Sequence, residues 1–208
     1  NANNSFSLQN IKTGLTELSG ICAPTFVDYD NDGILDIYLA DSHLYRNSLL
    51  FGLTKATLND PLANQIKTGN VMSFFDANND GRIDILSYYY GSMENNREYV
   101  EPLYLQKLLK NNGKGFFSDV TFESGLYPKL DPSMGGSVSA VGDYDNDGDS
   151  DIYLAVNNTF NNVTHKCQRL YANNGDGVFE DVTAIVGMPE HIDHVVTKAE
   201  FSDFDNDG

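Results

Sequence analysis

One acidic block recurs along this chain and constrains its fold more than any other feature. It reads FVDYDNDGILDIYLA from Phe26, FFDANNDGRIDILSY from Phe74 and VGDYDNDGDSDIYLA from Val141, and it begins again as FSDFDNDG from Phe201. The common pattern is Asp-x-Asp/Asn-x-Asp-Gly-x-x-Asp, with its first Asp at 28, 76, 143 and 203. Internal repetition at this period points to an array of similar supersecondary units.

A second repeat sets the phase of those units. FSLQNIKTGL starts at Phe6, FSDVTFESGL at Phe117 and FEDVTAIVGM at Phe179, each with a Gly-apolar pair eight residues after the Phe. The last two follow NNGKGF from Asn111 and NNGDGVF from Asn173. Asn-Gly between apolar runs signals a hairpin, because both residues accept the positive φ of tight turns. Segments such as GSVSAVG and DIYLA carry β-branched and aromatic residues suited to strands.

The unit therefore reads strand, acidic loop, strand, variable loop, strand, hairpin, strand. Four strands per unit of roughly 45 to 65 residues is the pattern of propeller blades. The fold expected is all-β: four-stranded antiparallel β-propeller blades, three of them and the start of a fourth. Residues 1–19 are expected to form an outer strand of a neighbouring blade. The repeats are then 20–66, 67–130, 131–190 and a shortened 191–208. Tyr99 to Leu109 is the one candidate helix. The first unit lacks the Asn-Gly hairpin after Asn47, and the second carries an insertion over Gly91 to Tyr104.

The chemistry of the loops follows from charge. The net charge is −17, and 15 of the 30 carboxylates sit in the four loops. So much like charge needs a cation nearby. The acidity also argues against nucleic acid, whose phosphates select Lys and Arg clusters. Calcium takes six to eight oxygens, and carboxylates at alternate positions of a turn converge on one point. The expected ligands are Asp28, Asp30, Asp32, the Ile34 carbonyl and Asp36 in the first loop. The second offers Asp76, Asn78, Asp80, the Arg82 carbonyl and Asp84. The third offers Asp143, Asp145, Asp147, the Asp149 carbonyl and Asp151. Asp203, Asp205 and Asp207 begin a fourth, so three complete calcium sites and one shortened site are expected. These are not EF-hands: the twelfth position is Leu39, Ser87 or Leu154 where a Glu is required, and strands flank the loops. Magnesium keeps more of its water and suits such a cage less well.

This block resembles the FG-GAP or VCBS repeats of integrin-α-type propellers. Unit three, with DYDNDGDSDIYLA and RLYANNGDGVFEDVTAIVG, most resembles the cartilage-acidic-protein and ASPIC/UnbV group. The resemblance implies a bladed propeller, calcium between each blade's first two strands, and an extracellular or cell-surface setting. No literal Gly-Ala-Pro follows Phe51-Gly52. Since propellers close with four to eight blades, the resemblance also implies a longer array.

Other features have plainer readings. Cys22 and Cys167 make either one bridge or two buried thiols. His191 and His194 fit a polar strand or loop better than a metal site, having no Cys or Glu at ligand spacing. The three tyrosines Tyr88 to Tyr90 fit a strand with rings packed between blades. Asn3, Asn157 and Asn162 open N-x-Ser/Thr sequons, and Asn157 and Asn162, read as lying in a polar loop, are the plausible glycan sites. No stretch is long and apolar enough to span a membrane. No nucleophile elbow, phosphate loop or zinc-protease motif occurs, and the metal loops account for the clustered carboxylates. The expectation is a non-catalytic, calcium-binding extracellular module for adhesion to a protein or glycan. A structural subunit of a self-assembling fibre or matrix is the first alternative, and an accessory part of a polysaccharide-acting enzyme the second.

Overall fold

The computed structural model describes residues 24–39, 43–55, 69–89, 106–126, 136–160 and 163–204. They form three four-stranded antiparallel sheets, with no helix among the described residues. The first sheet holds β1 (Pro24–Val27), β2 (Asp36–Leu39), β3 (His43–Arg46) and β4 (Thr54–Lys55). The second holds β5 (Gly69–Phe75), β6 (Asp84–Tyr89), β7 (Gln106–Asn111) and β8 (Phe117–Asp119). The third holds β9 (Gly136–Gly142), β10 (Asp151–Phe160), β11 (Val163–Asn173) and β12 (Phe179–Asp181). In each, sequence order is spatial order. The DIYLA-type segment is the second strand, joined to the first by the acidic loop. Register is constant: Val27 opposes Asp36, Phe75 opposes Asp84 and Gly142 opposes Asp151.

The core lies between sheets, not within one. Val27, Tyr29 and Leu44 of the first sheet pack with Ile85, Leu109 and Phe117 of the second. Phe75, Ala77, Leu86 and Leu108 of the second pack with Ile152, Tyr171 and Phe179 of the third. A middle sheet is thus buried on both faces, and consecutive residues become apolar. Ile85 and Leu86 are both fully buried, as is Leu109 beside the nearly buried Leu108. This corrects the helix expected over Tyr99 to Leu109. Gln106–Asn111 is strand β7, paired with β6 and β8; adjacent apolar residues facing opposite neighbours had imitated helical spacing. Residues 99–105 lie outside the described residues.

The blades are also joined through backbone. Phe179 N donates to the Ser124 carbonyl at 2.8 Å. Gly125 adopts φ +76°, and a Cβ there would stand 2.6 Å from the Phe179 oxygen. At Gly125 the Gly-apolar pair therefore marks a close approach of one blade's tail to the next blade's outer strand. The Asp-Val-Thr triplets after β8 and β12 begin that tail. Thr121 Oγ1 donates to Asp119 and accepts from Leu108 N; Thr183, Asp181 and Leu170 repeat the arrangement.

Several expectations fall differently or outside. The first sheet has its fourth strand without an Asn-Gly hairpin. Ser48 and Gly52 exchange backbone hydrogen bonds and Gly52 supplies φ +65°. Asn157 is in β10, opposite Lys166, and not in a loop, because β10 and β11 extend as one long hairpin to Phe160 and Val163. The Phe6 to Leu15 strand, Cys22, Tyr90, the Gly91 to Tyr104 insertion, Asn3 and Asn162 lie outside the described residues.

Candidate metal centres

Each of the three described acidic loops builds the same turn. Asp32 N and Gly33 N donate to the two oxygens of Asp28 at 3.0 and 2.9 Å. Asp80 and Gly81 do so to Asp76, and Asp147 and Gly148 to Asp143. The seventh residue's N–H then caps the fifth carboxylate: Ile34 to Asp32, Arg82 to Asp80, Asp149 to Asp147. The reversal needs two left-handed residues in each loop. Asn31, Asn79 and Asn146 take φ 58°, 54° and 61°, and the glycines that follow two later take 84°, 80° and 95°. Asn tolerates that region better than other residues with a Cβ, and Gly enters it freely.

The ninth-position Asp ties the loop to its sheet. Asp36, Asp84 and Asp151 are at most 1% exposed. Each accepts one N–H from the loop's second residue (Tyr29, Ala77, Tyr144) and one from the asparagine that ends the third strand or follows it (Asn47, Asn111, Asn173). Burial nevertheless dominates. It pushes Asp36 up to about 6 and raises Asp84 and Asp151 above the usual carboxylate range, against those hydrogen bonds. Asp30 is raised too, by burial, with Arg46 opposing. Carboxyls that resist ionising alone are groups a cation would stabilise as anions.

Two loops converge on a point. Asp28, Asp30 and Asp36 each place an oxygen within 4.8 Å of the others, as do Asp143, Asp145 and Asp151. The second loop has Asn78 where the others place their third-position Asp, so it offers no such carboxylate triad; its Asp80 pairs with Arg82 at 2.5 Å and accepts from the Asn78 amide at 3.0 Å. A hard cation fits the donor set. Asp30 Oδ2 and Asn78 Oδ1, the same third position in two loops, are buried and accept no hydrogen bond. Arg46 Nε stands 2.6 Å from Asp30 Oδ2, an ion pair whose angle leaves that oxygen without one. Of the fourth loop, Asp203 is exposed, while Asp205 and Asp207 lie outside the described residues.

One set of residues was read only as hairpin signals. The Asn111 amide donates to Ile83 O in its own sheet and to Tyr29 O in the first sheet's loop. Asn173 donates to Ser150 O and to Ala77 O in the second sheet's loop. The following hairpin packs there as well: a Cβ on Gly115 would meet Tyr29 and Asp30, and one on Gly177 would meet Asn78 and Ala77. So the first and second loops are each clamped by the next blade. The signal was present as an Asn repeated at the head of each Asn-Gly hairpin. Replacing Asn173 by Ala orphans one buried and one partly buried carbonyl and should cost about 2–4 kcal/mol in urea unfolding. A loss below about 0.5 kcal/mol would show that the clamp carries no weight.

His191 and His194 belong to no metal group among the described residues. His191 makes a backbone bridge to Cys167, and His194 is exposed beside Asp193. Buried Arg169 pairs with Asp181 and Glu190, fastening the chain after β12 to β11.

These repeated loops between first and second strands match a known family. The chain matches the FG-GAP-like repeat over residues 76–154 and again over 143–208. It belongs to the FG-GAP-like repeat family. The two matches overlap across the third acidic loop, so each spans the junction of one repeat with the next. The three sheets are therefore blades of the propeller type. Repeats of this family are typical of extracellular or surface proteins and generally serve binding, not catalysis. No curated protein matches the chain.

Proposed function

We propose that this FG-GAP-like chain is a calcium-stabilised, non-catalytic extracellular module that binds a protein or glycan partner. Within the family, the wording of its third unit supports a kinship with the cartilage-acidic-protein and ASPIC/UnbV group. The observation that carries the calcium reading is the convergence of Asp28, Asp30 and Asp36, and of Asp143, Asp145 and Asp151, each on one point. Asp32, Asp147 and the seventh-position carbonyls of Ile34 and Asp149 complete the donor sets. The second loop's Asp76, Asn78, Asp80, Arg82 carbonyl and Asp84 form a third set. Calcium bound there supplies charge neutralisation and rigidity. The protein's residues hold the loop shape through the Asn and Gly turns and the interblade clamp.

The binding reading rests on what the loops and hairpins present. Leu49, Leu50 and Phe51 at the β3–β4 turn are 90%, 86% and 78% exposed, and Phe116 and Val178 occupy the corresponding β7–β8 and β11–β12 hairpins. Apolar tips beside ordered acidic loops suit partner recognition, in which a rigid scaffold positions variable loops. The test is calorimetric titration of metal-stripped protein with calcium at pH 7, followed by partner screening with and without the ion. Binding at about 10 μM or tighter is expected; no bound calcium at 1 mM would overturn the reading.

A further inference from the structure

The three loops share one turn but not one charge environment. The residue preceding the asparagine that donates to the ninth-position Asp is Arg46 in the first sheet, Lys110 in the second and Ala172 in the third. Both cations face the acidic loop. Arg46 Nε is 2.6 Å from Asp30 Oδ2, its Nη2 is 3.9 Å from Asp32 Oδ2, and Lys110 Nζ is 3.9 Å from Asp80 Oδ2. The loop's seventh residue also differs: Ile34, Arg82 and Asp149. Arg82 holds Asp80 at 2.5 Å and donates from Nε to Asn111 O at 2.9 Å.

The first loop thus sets four carboxylates against Arg46. The second sets three against Arg82 and Lys110. The third sets five, and none of them pairs with Lys or Arg among the described residues. Asp149, the extra acid there, accepts from Asn79 of the neighbouring loop at 2.6 Å.

We propose that these two positions, the residue before the asparagine that donates to the ninth-position Asp and the seventh loop residue, grade the sites for a divalent cation: third loop tightest, first intermediate, second weakest. The proposal rests on the reading that the loops hold calcium. Affinity in oxygen cages follows ligand charge and rigidity. A fixed monovalent cation on a ligand oxygen repels an arriving dication and withdraws the oxygen it needs. At partly exposed sites each such cation is expected to change affinity about tenfold. The unpartnered Asn78 oxygen leaves the second loop able to take the ion, but last.

The sixth-position glycines report the sites separately, because Gly33, Gly81 and Gly148 amides donate to the first carboxylate of their own loops. Calcium titration of the metal-stripped full chain, followed by amide NMR, should move Gly148 first, Gly33 next and Gly81 last. Arg46→Ala should tighten the Gly33 transition about tenfold and leave Gly148 in place. Arg82→Ser with Lys110→Ala should tighten the Gly81 transition. Ala172→Lys should weaken the Gly148 transition about tenfold. Should Ala172→Lys fail to fold, Arg46→Ala, at a half-exposed side chain, still decides the matter. Equal midpoints in the wild type, or a weaker first site in Arg46→Ala, would overturn the grading while leaving calcium binding intact. Silence at all three glycines would overturn the calcium reading itself.

Discussion

Removing calcium is expected to lower the melting temperature of this protein by about 10–20 °C. A site of about 10 μM affinity in 1 mM calcium contributes about 2.7 kcal/mol. The first and third loops, where carboxylates converge, together give about 5 kcal/mol, and a domain of this size shifts about 2–4 °C per kcal/mol. The second loop, already held by Arg82, adds less. The measurement is thermal unfolding after chelation and after calcium is restored, with metal content checked at each stage. Asp145→Asn should lose about half of the calcium response, since it removes a ligand of the third loop. A melting temperature unmoved by a confirmed loss of metal would rule out calcium as part of the fold.

The second large effect is a change of sign in the pH dependence. Asp36 is fully buried and its carboxyl sits at about 6 against an ordinary 3.8. Asp30, Asp84 and Asp151 are displaced upward too, also by burial. Between those two values the metal-free folded chain holds protons that the unfolded chain has released. Its stability is therefore greatest below about pH 4 on this account and declines as pH rises through 6. Asp36 alone makes this decline on the order of 2–3 kcal/mol. Calcium competes with those protons and holds the ligand carboxylates ionised, so in 1 mM calcium stability should rise across the same window. Urea midpoints at pH 4, 5, 6 and 7, in calcium-free buffer and in 1 mM calcium, should trace opposite slopes. Parallel slopes would mean that the buried carboxyls do not meet the ion.

The loops and the strands beside them were readable from sequence because their requirements are local. A turn needing Asn and Gly at two left-handed positions, and carboxylates at alternating ones, leaves the same letters wherever it occurs. What escaped depended on the neighbouring blade. Gln106–Asn111 looked helical because its two faces meet different sheets. Asn157 looked like loop because the residues that continue β10 and β11 there, Asn157 to Thr159 and Thr164 to Lys166, are polar. Arg82 was counted for its carbonyl alone, since nothing in the local pattern shows its guanidinium turning back onto Asp80. Asn111 and Asn173 matched a hairpin rule well enough to hide their second task. The Asp-Val-Thr repeat was visible, but its capping of the third strand was not.

The clamping asparagines also give the array a direction in time. Tyr29 receives its hydrogen bond from Asn111, 82 residues later in the chain, and Ala77 receives its own from Asn173, 96 residues later. Neither of the first two blades finishes its acidic loop from its own residues. At synthesis rates of about 5–20 residues per second, each loop waits roughly 5–20 s for its clamp to be made. During that interval its carboxylates lie open with their neighbour missing. The earlier loop is therefore completed by the later blade, and a break in translation between blades would leave the upstream loop, not the downstream one, incomplete.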